Sequence, residues 1–135
     1  MKAWKILQRP ITLEAGIPLK SEAPAEIRVE YEISYSNRLV AWVSSNGKLC
    51  GVIQNNRSVV ADLRVSECLT LYEMKPAKGW GWVGITIKDS HGNVLYTLFE
   101  SRHSEKSLEW LQATQDILAD VFGLRKEFQD LGCDA

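Results

Sequence analysis

Residues 104–122 are the one segment that reads without strain as a helix, and the roughly 80 residues before them are patterned as strands. That imbalance limits what the chain can fold into, because a single helix has to serve a large amount of sheet. On a helical wheel, Glu105, Glu109, Gln112, Ala113, Asp116 and Asp120 fall on one side, with Lys106 at the margin. Leu108, Trp110, Leu111, Ile117, Leu118, Val121 and Phe122 fall on the other, an apolar face wide enough to lie on a broad core. Ser104 is placed to cap the first turn, and Glu105 suits the positive end of the helix dipole. Gly123 suits a left-handed residue past the last turn, with Leu124 folding back beside it. The polar face is acidic, so the segment reads as a packing helix and not as a membrane-surface one.

The 135 residues are expected to form a single domain with a real core. The formal net charge of −1 argues against a nucleic-acid protein that works by neutralising phosphates. No apolar run approaches the length of a membrane span, and Met1-Lys2-Ala3-Trp4-Lys5 leads into no apolar leader. Cys50, Cys68 and Cys133 have no close spacing and read as reduced thiols. A cytoplasmic protein is expected. Asn56-Arg57-Ser58 matches a glycosylation sequon, which carries no meaning there.

Residues 1–25 read as an irregular N-terminal segment, with short strands conceivable at 3–7 and 11–13 and breaks at Pro10, Gly16, Pro18 and Pro24. Residues 20–26 read as a linker or exposed loop. Residues 26–101 carry the strands. Ile27, Val29, Tyr31, Ile33 and Tyr35 alternate with polar residues, the mark of a strand with one wet face. A turn at Asn37-Arg38 leads to a strand over 39–44 that contains Trp42. Asn46-Gly47 between apolar runs is a strong hairpin signal, with 49–54 as the return strand. After a turn at Asn55-Asn56-Arg57, the alternation of Val59, Ala61, Leu63 and Val65 predicts a strand to about Ser66. Residues 68–74 continue as a strand, and residues 75–79 must be a loop. Val83, Ile85 and Ile87 form the inward face of the next strand. Asp89-Ser90-His91-Gly92-Asn93 turns the chain into a last strand over 94–101. Residues 124–135 form a tail in which Leu124, Phe128 and Leu131 have helical spacing, compatible with a short second helix docked on the domain or on a partner.

About seven strands joined by short turns imply antiparallel neighbours. One helix cannot cover both faces of a flat sheet of that size. The expected fold class is therefore α+β: a rolled antiparallel sheet, a barrel or two crossed sheets, closed by the C-terminal helix. This order of elements, with Trp110 in Leu108-Glu109-Trp110-Leu111, resembles the pleckstrin-homology-like (PH-like) fold over roughly residues 26–123. The resemblance implies a binding module for phosphoinositides, peptides or proteins. Lipid-binding members of that family carry several cations in the loop between the first two strands. Here Ser36, Asn37 and Arg38 offer only Arg38, so headgroup binding by that route is not expected.

The stretch most suited to recognition is residues 75–82, Lys-Pro-Ala-Lys-Gly-Trp-Gly-Trp. Trp80 and Trp82 can stack on flat or cationic groups, and Lys75 and Lys78 can meet anions. The same tryptophans can instead pack at a barrel rim. Gly79, Gly81 and Gly84 match a Gly-x-Gly-x-x-Gly pattern, but it leads into a strand and offers no helix dipole to a phosphate. His91 and His103 lack ligand spacing with Asp89 or Glu105, so no metal or other cofactor is implied. No nucleophile motif occurs. Cys50 and Cys68 read as core residues, and Cys133 as a thiol reactive only through exposure. The acidic stripe Glu105, Glu109, Asp116 and Asp120 reads as a solvated helix face.

The expected function is a non-catalytic binding or interaction module with a protein or peptide partner, contacted through Lys75, Lys78, Trp80 and Trp82. The alternative is a small-molecule binder or enzyme with an internal cavity, as in calycin-like or START-like folds. A homodimer through an edge strand is also open, although charge along 26–36 discourages pairing there.

Overall fold

In the computed structural model, residues 3–7, 39–44, 46–54 and 57–133 are described. They form β1 (Ala3–Leu7), β2 (Leu39–Val43), β3 (Leu49–Gln54), β4 (Arg57–Asp62), β5 (Cys68–Lys75), β6 (Trp82–Lys88), β7 (Val94–Arg102), α1 (Glu105–Phe122) and β8 (Arg125–Cys133). The strands predicted at 11–13 and 26–36, the linker at 20–26 and the loop of Ser36, Asn37 and Arg38 lie outside the described residues.

The turns predicted at Asn46-Gly47 and at 89–93 form as expected, and those predicted at Asn37-Arg38 and Asn55-Asn56 lie outside the described residues. Ser44 N–H bonds Leu49 O at 2.9 Å, and Asn46 Oδ1 accepts from Ser44 Oγ and Lys48 N, with Gly47 at φ 71°. At the second turn, Asp89 Oδ1 accepts from the N–H of His91 and of Asn93, each at 2.9 Å. The strand expected to reach Ser66 stops instead at Asp62. There the carboxylate accepts from Arg64 N at 2.9 Å, and Asp62 O accepts from Ser66 Oγ at 2.7 Å. A side chain that bonds the backbone two residues ahead offers the chain a turn in place of a ladder.

That turn carries the chain from one sheet to another. The first sheet has the order β1-β2-β3-β4 and is antiparallel throughout. The second has the order β7-β6-β5-β8, with β8 parallel to β5. The architecture is thus α+β with antiparallel sheet, but the strands do not close into a barrel. β5 is flanked by β6 and β8, so β4 has no edge of β5 left to pair with. The two sheets still approach at β4 and β7, where Asp62 N–H donates to Tyr96 Oη at 3.2 Å.

The tail is a further correction. Residues 125–133 form a strand and not a short helix. Gly123, at φ 69°, ends α1, and both Gly123 and Leu124 N–H bond Ala119 O. Beyond that stop, nine residues with few apolar groups gain more from a ladder on β5 than from one short helical stripe.

α1 packs against β1 and β2 of one sheet and β5, β6 and β8 of the other. The main core joins Leu39, Ala41, Cys50 and Val52 with Leu69, Leu71, Val83, Ile85, Leu111 and Leu118. Phe99 meets Trp110 edge-on, ring centres 5.2 Å apart and planes at 87°. The first sheet also buries its opposite face, where Val40, Trp42 and Ile53 form a second cluster. A strand buried on both faces loses its alternation, which is why 39–43 reads as a continuous apolar run. Gly51 makes room for that second cluster. A Cβ there would lie 2.9 Å from the Trp42 ring and would collide with Val59 O.

Candidate functional site

Trp82 opens β6, Lys75 closes β5 and Arg102 closes β7, so three strand ends converge at one end of the second sheet. Antiparallel pairing sets Met74 against Trp82, and Trp82 against Arg102. The connecting loop is compact. Gly81 has φ 69°, and a Cβ on it would press into the backbone of residues 74–76. Gly81 O accepts from His103 N–H at 3.2 Å, which ties the loop to the segment leading into α1.

On this frame, Lys75, Lys78, Trp80 and Trp82 all come to one end of the molecule, as the sequence suggested. Both lysines are exposed. Trp80 is 58% exposed and Trp82 36%, so neither is a core residue. The guanidinium carbon of Arg102 lies 3.1 Å from the centre of the Trp80 ring, a cation–π stack. One indole therefore arrives already held by a cation.

Arg102 is the residue that sequence reasoning missed, and the reason is register. Counted straight from the Lys88–Val94 pair, Glu100 would face Trp82. Two irregularities along β6 and β7 shift the ladder, and Arg102 takes that place. Turn residues reveal where a hairpin bends, but not where an extra residue enters it. Glu100 instead accepts a hydrogen bond from Tyr72 Oη, whose ring crosses the open space above Gly84. Burial and the Glu100 carboxylate raise the pKa of Tyr72 far above its ordinary value, so the phenol stays protonated.

The histidines separate. His91 sits exposed in the 89–93 turn. His103 is mostly buried, with Nε2 2.7 Å from Glu73 Oε2, and this contact anchors the approach to α1 on β5. Among the described residues, no group of three His, Cys, Asp or Glu is placed to hold a metal.

Cys50 is buried, and burial with the Asp62 charge pushes its thiol up to about 12, so it remains an unreactive thiol near neutral pH. Cys68 is buried beside Thr70, and Cys133 is exposed on β8. The acidic residues of α1 are exposed, and Asp116 accepts from Lys126 Nζ at 2.8 Å.

A polar network joins β5, β6 and β8, and Thr70 and Lys88 in it are buried. Glu127 Oε1 accepts from Lys88 Nζ at 3.2 Å and Thr70 Oγ1 at 3.0 Å, and Gln129 accepts from Lys88 Nζ at 2.8 Å. These partners satisfy a lysine that is only 8% exposed. The network is self-contained, whereas the indole surface at the sheet end points outward. No helix among the described residues is long and apolar enough to cross a membrane. No protein-family model matches this chain, and no curated protein is significantly similar to it in sequence.

Proposed function

We propose that the chain is a non-catalytic interaction module that binds a protein or peptide segment at the β5, β6 and β7 end of the second sheet. The observation that carries this reading is the pair of exposed indoles, Trp80 and Trp82, one of them stacked on Arg102. Large aromatic side chains left in water forgo stabilisation of about 25 cal/mol per Å² of apolar surface, and such residues with Arg are the side chains that dominate protein contacts. With Lys75 and Lys78 beside them, the surface fits a segment that offers apolar or aromatic groups together with carboxylates.

Kinship with PH-like modules belongs to this proposal. It is supported by the run of strands before a Trp-bearing helix, with Trp110 packed against Phe99. The split sheet and the strand after the helix depart from that pattern. The interior supports a module that binds at its surface over one that holds a ligand inside, because the large side chains of Leu69, Leu71, Ile85, Leu98 and Phe99 meet there.

The test is a Trp80→Ala/Trp82→Ala double variant, compared with the wild type on an array of acidic and aromatic peptides. The expected result is an unchanged melting temperature with binding of the selected peptides lowered about tenfold or more. Global unfolding would assign both indoles to the fold, and an array that the wild type does not bind would reject the reading.

A further inference from the structure

β8 is an edge strand of nine residues, paired with β5 on one side, and no described strand pairs with its other side. Edge strands of natural proteins are usually short, bulged or broken by proline, because open backbone groups invite another strand. β8 contains no proline, its ladder on β5 is regular from Arg125 to Asp130 with the one irregularity beyond Asp130, and it carries Phe128 at 54% exposure and Leu131 at 41%. Its sequence, Arg125-Lys126-Glu127-Phe128-Gln129-Asp130-Leu131-Gly132-Cys133, suits one partner strand: itself, run antiparallel.

A two-fold axis through Phe128 sets Phe128 against its copy and Glu127 against Gln129. It also sets Lys126 against Asp130, and symmetry makes that ion pair twice. Centring the axis on Glu127 would set that carboxylate against its own copy and Lys126 against Phe128. Centring it on Gln129 would set Phe128 against Asp130 and Arg125 against Cys133, with no opposite charges paired. Opposite charges facing each other across antiparallel strands stabilise the pairing, and aromatic pairs do the same. Lys126 already leans on Asp116 of α1, which keeps it on the face shared with Phe128 and Asp130.

We propose that the chain forms a homodimer by antiparallel pairing of β8 with β8 about Phe128, joining two four-stranded sheets into one of eight strands. The interface centres on Phe128, which pairs with Leu71 in the middle of β5, and the inference does not depend on the indole end.

The experiment measures oligomeric state by light scattering and sedimentation over a concentration series of the full chain. The wild type should have twice the chain mass at high concentration. Asp130→Lys sets two lysines together in each half of the interface and should raise the dimer dissociation constant at least about tenfold, while the Lys126→Asp/Asp130→Lys exchange should restore dimerisation. These positions are exposed, and circular dichroism should show an unchanged fold. In a Cys133→Ser background, Phe128→Cys should form a disulfide-linked dimer under mild oxidation, since facing antiparallel residues fall within disulfide reach. Lys126→Cys should not, since its own copy lies four residues along, on the order of 13 Å away. A monomeric wild type overturns the proposal. So does a dimer indifferent to Asp130→Lys, or a cross-link at 126 in place of 128. A wild-type monomer that releases a co-purified protein on Phe128→Lys would place a foreign strand on this edge and also overturns self-pairing.

Discussion

Glu127 shows how one exposed strand is held by its side chains. The Lys88 ammonium and the Thr70 hydroxyl bond its carboxylate and hold its pKa below the ordinary value of 4.5. The folded state therefore binds the proton less readily than the unfolded chain does. The stability gained is fully present above about pH 4.5 and is lost as the pH falls through the lower folded value. Asp62, held low by hydrogen bonds from Arg64, and Asp89, held low by backbone bonds from Asn93 and His91, act in the same direction. Glu127→Gln should be less stable than the wild type at pH 7, and the gap should narrow as the pH is lowered from 6 to 3. Urea denaturation at a series of pH values measures this, and a gap constant with pH would contradict it. Thr70 and Lys88 both lie in stretches that read correctly as strands, but a carboxylate 57 residues beyond Thr70 could not be assigned to it from sequence.

At the scale of the element, α1 is the most legible part of the chain. Ser104 caps it through a 3.1 Å bond from Ser107 N–H, and Gly123 ends it in the left-handed region. Ser104→Ala should cost about 1 kcal/mol, measured by chemical denaturation, with the helix still formed. The apolar face of the wheel is correct in outline, since Leu111, Leu118 and Phe122 are buried. The buried stripe also includes Ser107, Thr114 and Gln115, which hydropathy assigns to water. Two of these have partners that explain it: Ser107 Oγ lies 3.2 Å from Ser101 Oγ, and the Gln115 amide donates to Leu69 O and Glu127 O. A polar side chain becomes a core residue when the fold supplies its hydrogen bonds.

At the scale of the whole molecule, Gln115 ties α1 to both β5 and β8 through bonds of 3.0 and 2.8 Å. Gln115→Leu keeps the volume and removes both donors from buried carbonyls. It should cost about 2 kcal/mol. It should also speed amide exchange in β8 more than in β6 or β7, a difference that native-state hydrogen exchange can read. Equal loosening of all strands would mean that β8 is held by its ladder alone. The sequence by itself determined the places of β2, β3, β5, β6 and β7, the turns at Asn46-Gly47 and 89–93, the helix with both caps, and the grouping of Lys75, Lys78, Trp80 and Trp82. These depend on local forces: alternation, turn conformations and capping, all acting within a few residues. Tertiary structure alone decided that the strands part into two sheets, that the tail becomes a parallel strand on β5, and that Arg102 stacks on Trp80. Each of those outcomes turns on which distant edge or register was vacant when the chain packed. Periodicity reports which face of a segment wants to be buried, and it carries no record of the neighbour that buries it.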